Sequence, residues 1–107
     1  MNKLNGYEVM YLLDPELEEE GLEEKKERLK TIVESGDGEV VSMEEWGKKR
    51  LAYEIQGLSK GLYVLVEFRA SPDDIDEISE KSNVEEGVIR YQVFRNEELA
   101  EAVKTSS

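Results

Sequence analysis

Residues 46–55 have the sequence WGKKRLAYEI and lie within the longest strand that the pattern predicts, Glu39 to Ile55. A glycine inside a strand often marks a bulge or a bend, so we expect an interruption near Trp46-Gly47. A hairpin turn is predicted at Gly57 to Gly61, and the next strand runs from Leu62 to Arg69. This stretch therefore supplies a central β-hairpin, around which the other elements are arranged.

A strand and a helix precede the hairpin. Tyr7 to Leu13 (YEVMYLL) is rich in β-forming residues and is apolar on both parities, as is typical of a central strand. Asp14-Pro15 ends it and opens a helix predicted from Glu16 to Ser35, although Gly21 leaves a later start open. Gly36-Asp37-Gly38 ends the helix, and we expect glycine there in the left-handed conformation.

A second helix and a last strand follow the hairpin. Ser71 is the predicted N-cap, Pro72 occupies the first helical position, and Asp74 completes a variant of the capping box. Asn83 is the predicted left-handed stop, and Val88 to Phe94 (VIRYQVF) is the last strand.

The order strand, helix, strand, strand, helix, strand predicts an α+β fold of the ferredoxin-like sandwich type. Right-handed crossovers would place both helices on one face of a four-stranded antiparallel sheet. We expect residues 1–96 to form this single domain and residues 97–107 to be a flexible C-terminal tail.

One face of such a sheet has no helix, and the sequence does not make it polar. Leu62 to Val66 is apolar on both parities, as is the end of the first strand. Contiguous exposed apolar surface usually marks an interaction site. Strand twist and the C-terminal tail could instead cover this face.

The amino-acid composition excludes several classes of function. The chain has 107 residues, a net charge of -12, and neither cysteine nor histidine. Disulfides, thiolate chemistry and the commonest general base are therefore excluded. No apolar run approaches the roughly 20 residues of a membrane span, and no signal peptide is apparent. We expect a cytoplasmic non-enzyme without cofactor, metal or membrane.

The acidic chain has one basic region. Residues 48–69 contain five basic and two acidic side chains, and acidic residues dominate on both sides. Lys48-Lys49-Arg50 begins this region. Lysine on a strand edge discourages aggregation, which is one interpretation. A localised phosphate contact is the other.

Motifs for catalysis or ion binding are absent from the sequence. There is no glycine-rich phosphate loop, no GxSxG elbow and no calcium-loop pattern. Acylphosphatases share the predicted topology but have a glycine-rich anion loop with an arginine after the first strand. Here Leu13-Asp14-Pro15-Glu16 stands at that junction, and its carboxylates would repel phosphate.

Residues 46–55 also carry a family resemblance. They closely resemble the corresponding stretch of the bacterial small-subunit ribosomal protein six family. Family-like segments elsewhere occur in the same order and cover about residues 5–95: Tyr7-Glu8, Leu13-Asp14-Pro15-Glu16-Leu17, Gly38-Glu39-Val40, Gly61-Leu62-Tyr63, Phe68-Arg69-Ala70 and Val88-Ile89-Arg90.

The resemblance implies a ferredoxin-like fold and a structural role in the small ribosomal subunit. It further implies binding to the central domain of 16S rRNA together with small-subunit ribosomal protein eighteen, a basic partner. The open alternative is a ferredoxin-like interaction or regulatory module without RNA binding. Ser82-Asn83 departs from the family pattern, which weakens the predicted apolar stripe of the second helix.

The resemblance also implies site residues. The candidates for RNA binding are Lys48, Lys49, Arg50, Tyr53 and Arg90, with Tyr53 either stacking on an unpaired base or packing in the core. Alternation along the strand would place Arg50 and Ala52 on one face and Leu51 and Tyr53 on the other. The candidates for partner binding are Trp46 and Leu51, for which core packing is the alternative, and Met10 and Leu12 on the apolar face. The apolar face leaves weak self-association open when the partner is missing.

Overall fold

The structure, a computed structural model, describes residues 4–99. Four strands form one antiparallel sheet in the order β2-β3-β1-β4, and two helices cover one of its faces. The predicted ferredoxin-like sandwich is confirmed. The elements in chain order are β1 (Asn5–Leu13), α1 (Glu19–Val33), β2 (Glu39–Ile55), β3 (Leu58–Ala70), a 3-10 turn (Pro72–Asp74), α2 (Ile75–Val84) and β4 (Val88–Arg95).

The core lies between the sheet and the layer formed by α1, the 3-10 turn and α2, which we call the helix layer. Alternate residues of the central strands β1 and β3 point into it, because successive side chains on a strand face opposite ways. The other residues of these strands form what we call the open face. The buried apolar core comprises Tyr7, Val9, Tyr11, Leu13, Leu22, Leu29, Ile32, Val33, Leu62, Val64, Val66, Phe68, Ala70 and Ile78.

A hydrogen bond deep in the core ties α2 to β1. The hydroxyls of Tyr11 and Ser82 are 2.7 Å apart, and both residues are fully buried. Burial raises the pKa of Tyr11 to about 12, an effect that the Ser82 hydrogen bond partly offsets. Ser82 therefore interrupts the apolar stripe of α2 but satisfies a buried hydroxyl that would otherwise lack a partner.

The first helix begins later than the predicted Glu16. Asp14 holds a turn instead: its side chain accepts from the Glu16 amide at 2.9 Å, and its carbonyl accepts from the Leu17 amide at 3.3 Å. The helix starts at Glu19, so Gly21 lies inside it. The prediction was wrong because Asp14 satisfies local amides in a turn conformation that competes with the helix.

The glycines after α1 serve a different purpose from the predicted one. Neither Gly36 nor Gly38 has a positive φ. A Cβ on Gly36 would clash with the Asp74 carboxylate, which shows how closely the 3-10 turn approaches. The Asp37 amide donates to the same carboxylate at 3.1 Å. Glycine is needed here for close approach rather than for a left-handed turn.

The start of α2 matches its prediction better than its end. The Ser71 hydroxyl accepts from the Asp73 amide at 3.4 Å, which confirms the cap, and Pro72 opens the 3-10 turn. Asn83 is not a left-handed stop: the helix continues through Val84. The chain turns at Gly87 instead, where φ is +87°.

The β2–β3 hairpin extends beyond the four-stranded part of the sheet. β1 ends at Leu13, which pairs with Leu62, so residues 48–61 project past that end; we call them the arm. The turn is the two-residue loop Gln56-Gly57 (φ 52° and 79°), not the predicted Gly57 to Gly61. Two positive φ values match the right-handed twist of the flanking strands.

The chain after β4 begins with an anchored turn. The Asn96 amide donates to the Gly6 carbonyl at 2.8 Å, and the Asn96 side chain accepts from the Glu98 amide at 3.1 Å. Arg69 Nε donates to the Leu99 carbonyl at 3.4 Å. Residues 100–107 lie outside the described residues, so the flexibility of the 97–107 tail stays a prediction.

Candidate nucleic-acid interface

The predicted interruption of β2 is a bulge at the base of the arm. The pairing register between β2 and β3 shifts between Glu45 and Gly47, and Gly47 has a φ of +82°. Trp46 lies in this bulge, 47% exposed, and its Nε1 donates to the Glu44 carboxylate at 3.2 Å. A shallow pocket on the open face is bordered by Met10, Trp46, Lys49, Arg50 and Tyr63.

A second irregularity bends the arm over the open face. The register shifts again between Arg50 and Ile55. Leu51 and Leu12 are 8% and 4% exposed, and both lie against Gly61. A Cβ on Gly61 would be 2.1 Å from Leu12 Cδ1, so only glycine permits this packing. The predicted partner residues Leu12 and Leu51 are thus nearly inaccessible and hold the arm in place.

The bend brings together two predicted RNA-binding residues that are 37 positions apart. Arg90 Nη1 on β4 donates to the Tyr53 hydroxyl at 3.3 Å, and the guanidinium carbon lies 5.9 Å from the ring centroid. Tyr53 is 64% exposed, so the alternative of core packing is wrong. An exposed ring beside a guanidinium is a suitable surface for base stacking.

A groove separates the bent arm from β4 on the open face. Its volume is about 420 Å³, within the roughly 300–1,000 Å³ typical of ligand pockets. Both apolar and polar residues line it. The lining includes Met10, Leu12, Leu51, Ala52, Tyr53, Ile55, Tyr63, Arg90, Tyr91 and Gln92.

The three residues of the basic run do not share one face. Lys49 pairs with Gly61, which contacts Leu12 on the open face, so Lys49 points to that side. Lys48 pairs with the core residue Leu62 and therefore lies on the opposite face. The open face thus combines Lys49, Tyr53 and Arg90, whereas Lys48 faces away from them.

One basic residue of the arm was missed by the sequence analysis. Lys60 pairs with Arg50 across the hairpin and is exposed. The sequence pattern places Lys60 in a turn, whereas the turn is at Gln56-Gly57 and Lys60 lies in β3. Its place among the five basic residues of 48–69 was the available signal.

Basic side chains of the helix layer are mostly neutralised by carboxylates. The Glu85 carboxylate accepts hydrogen bonds from Lys25 Nζ at 2.8 Å and from Arg28 Nη2 at 3.0 Å. Lys26 Nζ lies 3.0 Å from the Glu45 carboxylate. Burial would raise the pKa of Glu85, but the two cations outweigh it and lower that pKa. The Glu45 hydrogen bond raises the pKa of Lys26.

Basic side chains of the arm are in the opposite situation. Within residues 4–99, ion pairs involve basic residues of α1, α2, β3 and β4, and none involves an arm residue. Arg90, which faces the arm, contacts Tyr53 and no carboxylate of the described chain. The basic residues in or beside the arm that have no carboxylate partner within residues 4–99 are Lys48, Lys49, Arg50, Lys60 and Arg90.

Residues 4–99 contain neither a candidate membrane span nor a candidate metal cluster. Neither helix in residues 4–99 combines the length and apolarity needed to span a membrane. No cluster of three or more potential metal-binding carboxylates was found over the same range.

The arrangement defines a ferredoxin-like protein with a basic, aromatic edge, and comparison with known proteins identifies its family. A family model described as Ribosomal protein S6 matches residues 6–95. The small ribosomal subunit protein bS6 of Desulforamulus reducens is 38% identical over 89% of this chain and 100% of its own length. The bS6 of Caldanaerobacter subterraneus is 40% identical over 89% and 100%.

A solved structure agrees with these relatives. The crystal structure of 30S ribosomal protein S6 from Thermotoga maritima has a TM-score of 0.84 and 30% identity, covering 97% of this chain and 98% of that one. The chain belongs to the ribosomal protein S6 family. The family resemblance drawn from residues 46–55 is confirmed.

Proposed function

We propose that this protein is a structural constituent of the small ribosomal subunit that binds the central domain of 16S rRNA together with small-subunit ribosomal protein eighteen. Family membership supports the ribosomal role and a structural rather than catalytic one. A ribosome-associated, cytoplasmic location follows from that role. The arm and the adjoining edge of β4 are the proposed RNA-binding surface.

The observation that carries the RNA-binding proposal is the absence of carboxylate partners around the arm. A lysine or arginine already paired with a carboxylate must lose that partner before it can bind phosphate. Lys48, Lys49, Arg50 and Arg90 have no such pairing among residues 4–99, so they are available for phosphate. Tyr53 adds an exposed ring for an unpaired base.

The net charge explains why a second protein is part of the proposal. A chain with a charge of -12 is repelled by RNA over most of its surface. A basic partner bound to the acidic parts would remove this repulsion and add its own phosphate contacts. Complementary charge between the two proteins would mainly speed their association.

Two of the four predicted partner residues are accessible. Trp46 is about half exposed, and Met10 is half-buried beside it on the open face. We propose these two as direct contacts with protein eighteen. Leu12 and Leu51 instead pack against Gly61 and hold the arm in its bent position. Because these apolar residues are accessible, self-association of the protein in the absence of its partner stays a prediction.

A gel-shift assay with a central-domain 16S rRNA fragment, with and without protein eighteen, tests the proposal. The variant Lys49→Ala/Arg50→Ala should weaken assembly without changing the unfolding transition. Lys30→Ala/Lys81→Ala removes the same charge from the helix layer and should assemble like wild type. Equal assembly by all three proteins would overturn the RNA assignment of the arm.

The alternative of an interaction module without RNA binding has its own outcome in this assay. The exposed Trp46 and the apolar residues in the lining of the groove are the features that favour it. A stable complex with protein eighteen that never shifts the RNA would establish it. No shift by wild type in any combination would overturn the proposed function as a whole.

A further inference from the structure

We propose that the groove between the arm and β4 is a binding site for a single unpaired nucleotide of the RNA, whose base enters the groove and whose phosphate stays at its margin. The inference rests on the proposed function and deepens it. It assigns RNA contact to Gln92, Met10 and Tyr63 in addition to the basic residues.

The shape and lining of the groove fit a flat aromatic group. The lining includes Met10, Leu51 and Tyr63, together with Tyr53, which is exposed. Apolar and aromatic surfaces of this kind bind the face of a base without regard to its identity. The volume of about 420 Å³ is sufficient for one nucleotide.

The charge around the groove favours a nucleotide over an apolar side chain of a protein. Arg90 lines it, and Lys49 points to the same face from the neighbouring pocket. Neither forms an ion pair with a described carboxylate. A nucleotide brings a phosphate that can pair with these cations, whereas an apolar protein side chain would leave them without a counter-charge.

Gln92 supplies the hydrogen-bonding group that a base edge requires. It is exposed, and it follows Arg90 by two positions on β4, so both project from the open face. A side-chain amide offers donors and an acceptor together, which suits the edge of any base. A duplex presents neither a free base face nor a free Watson–Crick edge, so paired nucleotides are excluded from the groove.

The test compares a single-stranded uridine hexamer with a GC-rich RNA duplex that stays paired at the temperature of the measurement. Binding to the full chain is followed by amide chemical shifts. The single strand should perturb Met10, Leu51–Tyr53, Tyr63 and Arg90–Gln92, and the duplex should not perturb Met10 or Tyr63. Tyr53→Leu should weaken binding of the single strand by about 5-fold or more, since stacking contributes roughly 1–3 kcal/mol per base. Tyr53→Phe should retain it.

Matched variants separate the groove from general attraction to phosphate. Gln92→Ala should weaken single-strand binding and leave duplex binding unchanged, whereas Lys60→Ala should weaken both equally. Equal effects of Gln92→Ala on both probes, or shifts confined to the basic residues, would overturn the nucleotide site. The nucleotide site would also be overturned if an apolar peptide of protein eighteen, but not the hexamer, perturbs Met10 and Tyr63.

The outcome is distinguishable from a failure of the proposed function. If wild type assembles on the rRNA fragment with protein eighteen and both Tyr53→Leu and Gln92→Ala assemble equally well, the groove site is wrong and the ribosomal function stands. If wild type does not assemble, the proposed function itself fails.

Discussion

The arm and the helix layer both carry lysines and arginines, but they use them differently. In the helix layer, Lys25 and Arg28 converge on the mostly buried Glu85, and Lys26 reaches across to Glu45 on β2. Around the arm, the basic residues have no described carboxylate partner. The first arrangement holds elements together, whereas the second leaves charge available for a ligand.

This difference shows why net charge alone is a poor guide to the proposed RNA binding. A total of -12 argues against nucleic acid, yet the excess acidity lies mainly outside residues 48–69. The comparison predicts a clean separation of phenotypes. Arm variants should lose binding and keep stability, and helix-layer variants should lose stability and keep binding.

The largest effect is expected from reversing charge on the arm. Lys49→Glu/Arg50→Glu replaces two proposed phosphate contacts by repulsion, so affinity for the rRNA fragment should fall on the order of 100-fold at about 0.1 M salt. Both residues are exposed, so the free energy of unfolding should change little. Filter binding and urea denaturation measure the two quantities. A loss of stability matching the loss of affinity would remove the contrast between the regions.

The next effect is expected in the helix layer. Glu85→Ala removes the acceptor of two charged hydrogen bonds, at 2.8 and 3.0 Å, which should lower the free energy of unfolding by about 2 kcal/mol. Because the folded state lowers the pKa of Glu85, its contribution is present above the unfolded pKa of 4.5 and is lost as the pH falls below it. Urea denaturation at pH 7 and at acidic pH measures both effects. RNA affinity that drops along with stability would contradict the separation.

A smaller effect is expected from the buried pair of hydroxyls. Tyr11→Phe leaves Ser82 without its partner and should cost about 1 kcal/mol, which Ser82→Ala in the same chain should partly restore. The raised pKa of Tyr11 means that its stabilisation is complete below pH 10 and is lost as the pH rises from 10 to about 12. Thermal unfolding across this range should show a steeper loss for wild type than for Tyr11→Phe.

The smallest effect is expected from an exposed pair on α2. Lys81 Nζ lies 3.6 Å from Glu77, and both side chains are about half exposed. Lys81→Ala should change the free energy of unfolding by about 0.5 kcal/mol or less. RNA affinity should equal that of wild type, which calorimetry and filter binding can check. An affinity loss like that of the arm variants would mean that a lysine contributes to RNA affinity regardless of its position.

Periodicity was enough to predict the elements, because each strand and helix follows a local pattern. The boundaries that failed are those where a local contact competes, such as the Asp14 turn before α1 and the close approach of Asp74 to Gly36. The hairpin turn was misplaced because Gln56 adopts a positive φ, which its residue type does not indicate.

The candidate site residues could be named from the sequence, but their spatial arrangement could not. Alternation correctly placed Leu51 and Tyr53 on one face of the strand, yet nothing local indicates that Tyr53 reaches Arg90 on β4. That contact depends on the bend of the arm. The bend is possible because Gly61 on β3 leaves room for the side chain of Leu12 on β1. The availability of the basic residues likewise depends on where carboxylates lie in space.

The most direct test of the account is the salt dependence of rRNA affinity in the presence of protein eighteen. Wild type is compared with Lys48→Ala/Lys49→Ala/Arg50→Ala. Each lost phosphate contact should reduce the slope of log affinity against log salt by about 0.9 for a duplex and 0.7 for a single strand. The account predicts a slope shallower by about 2 to 3 for the variant. Parallel lines for the two proteins would show that the arm does not contact phosphate.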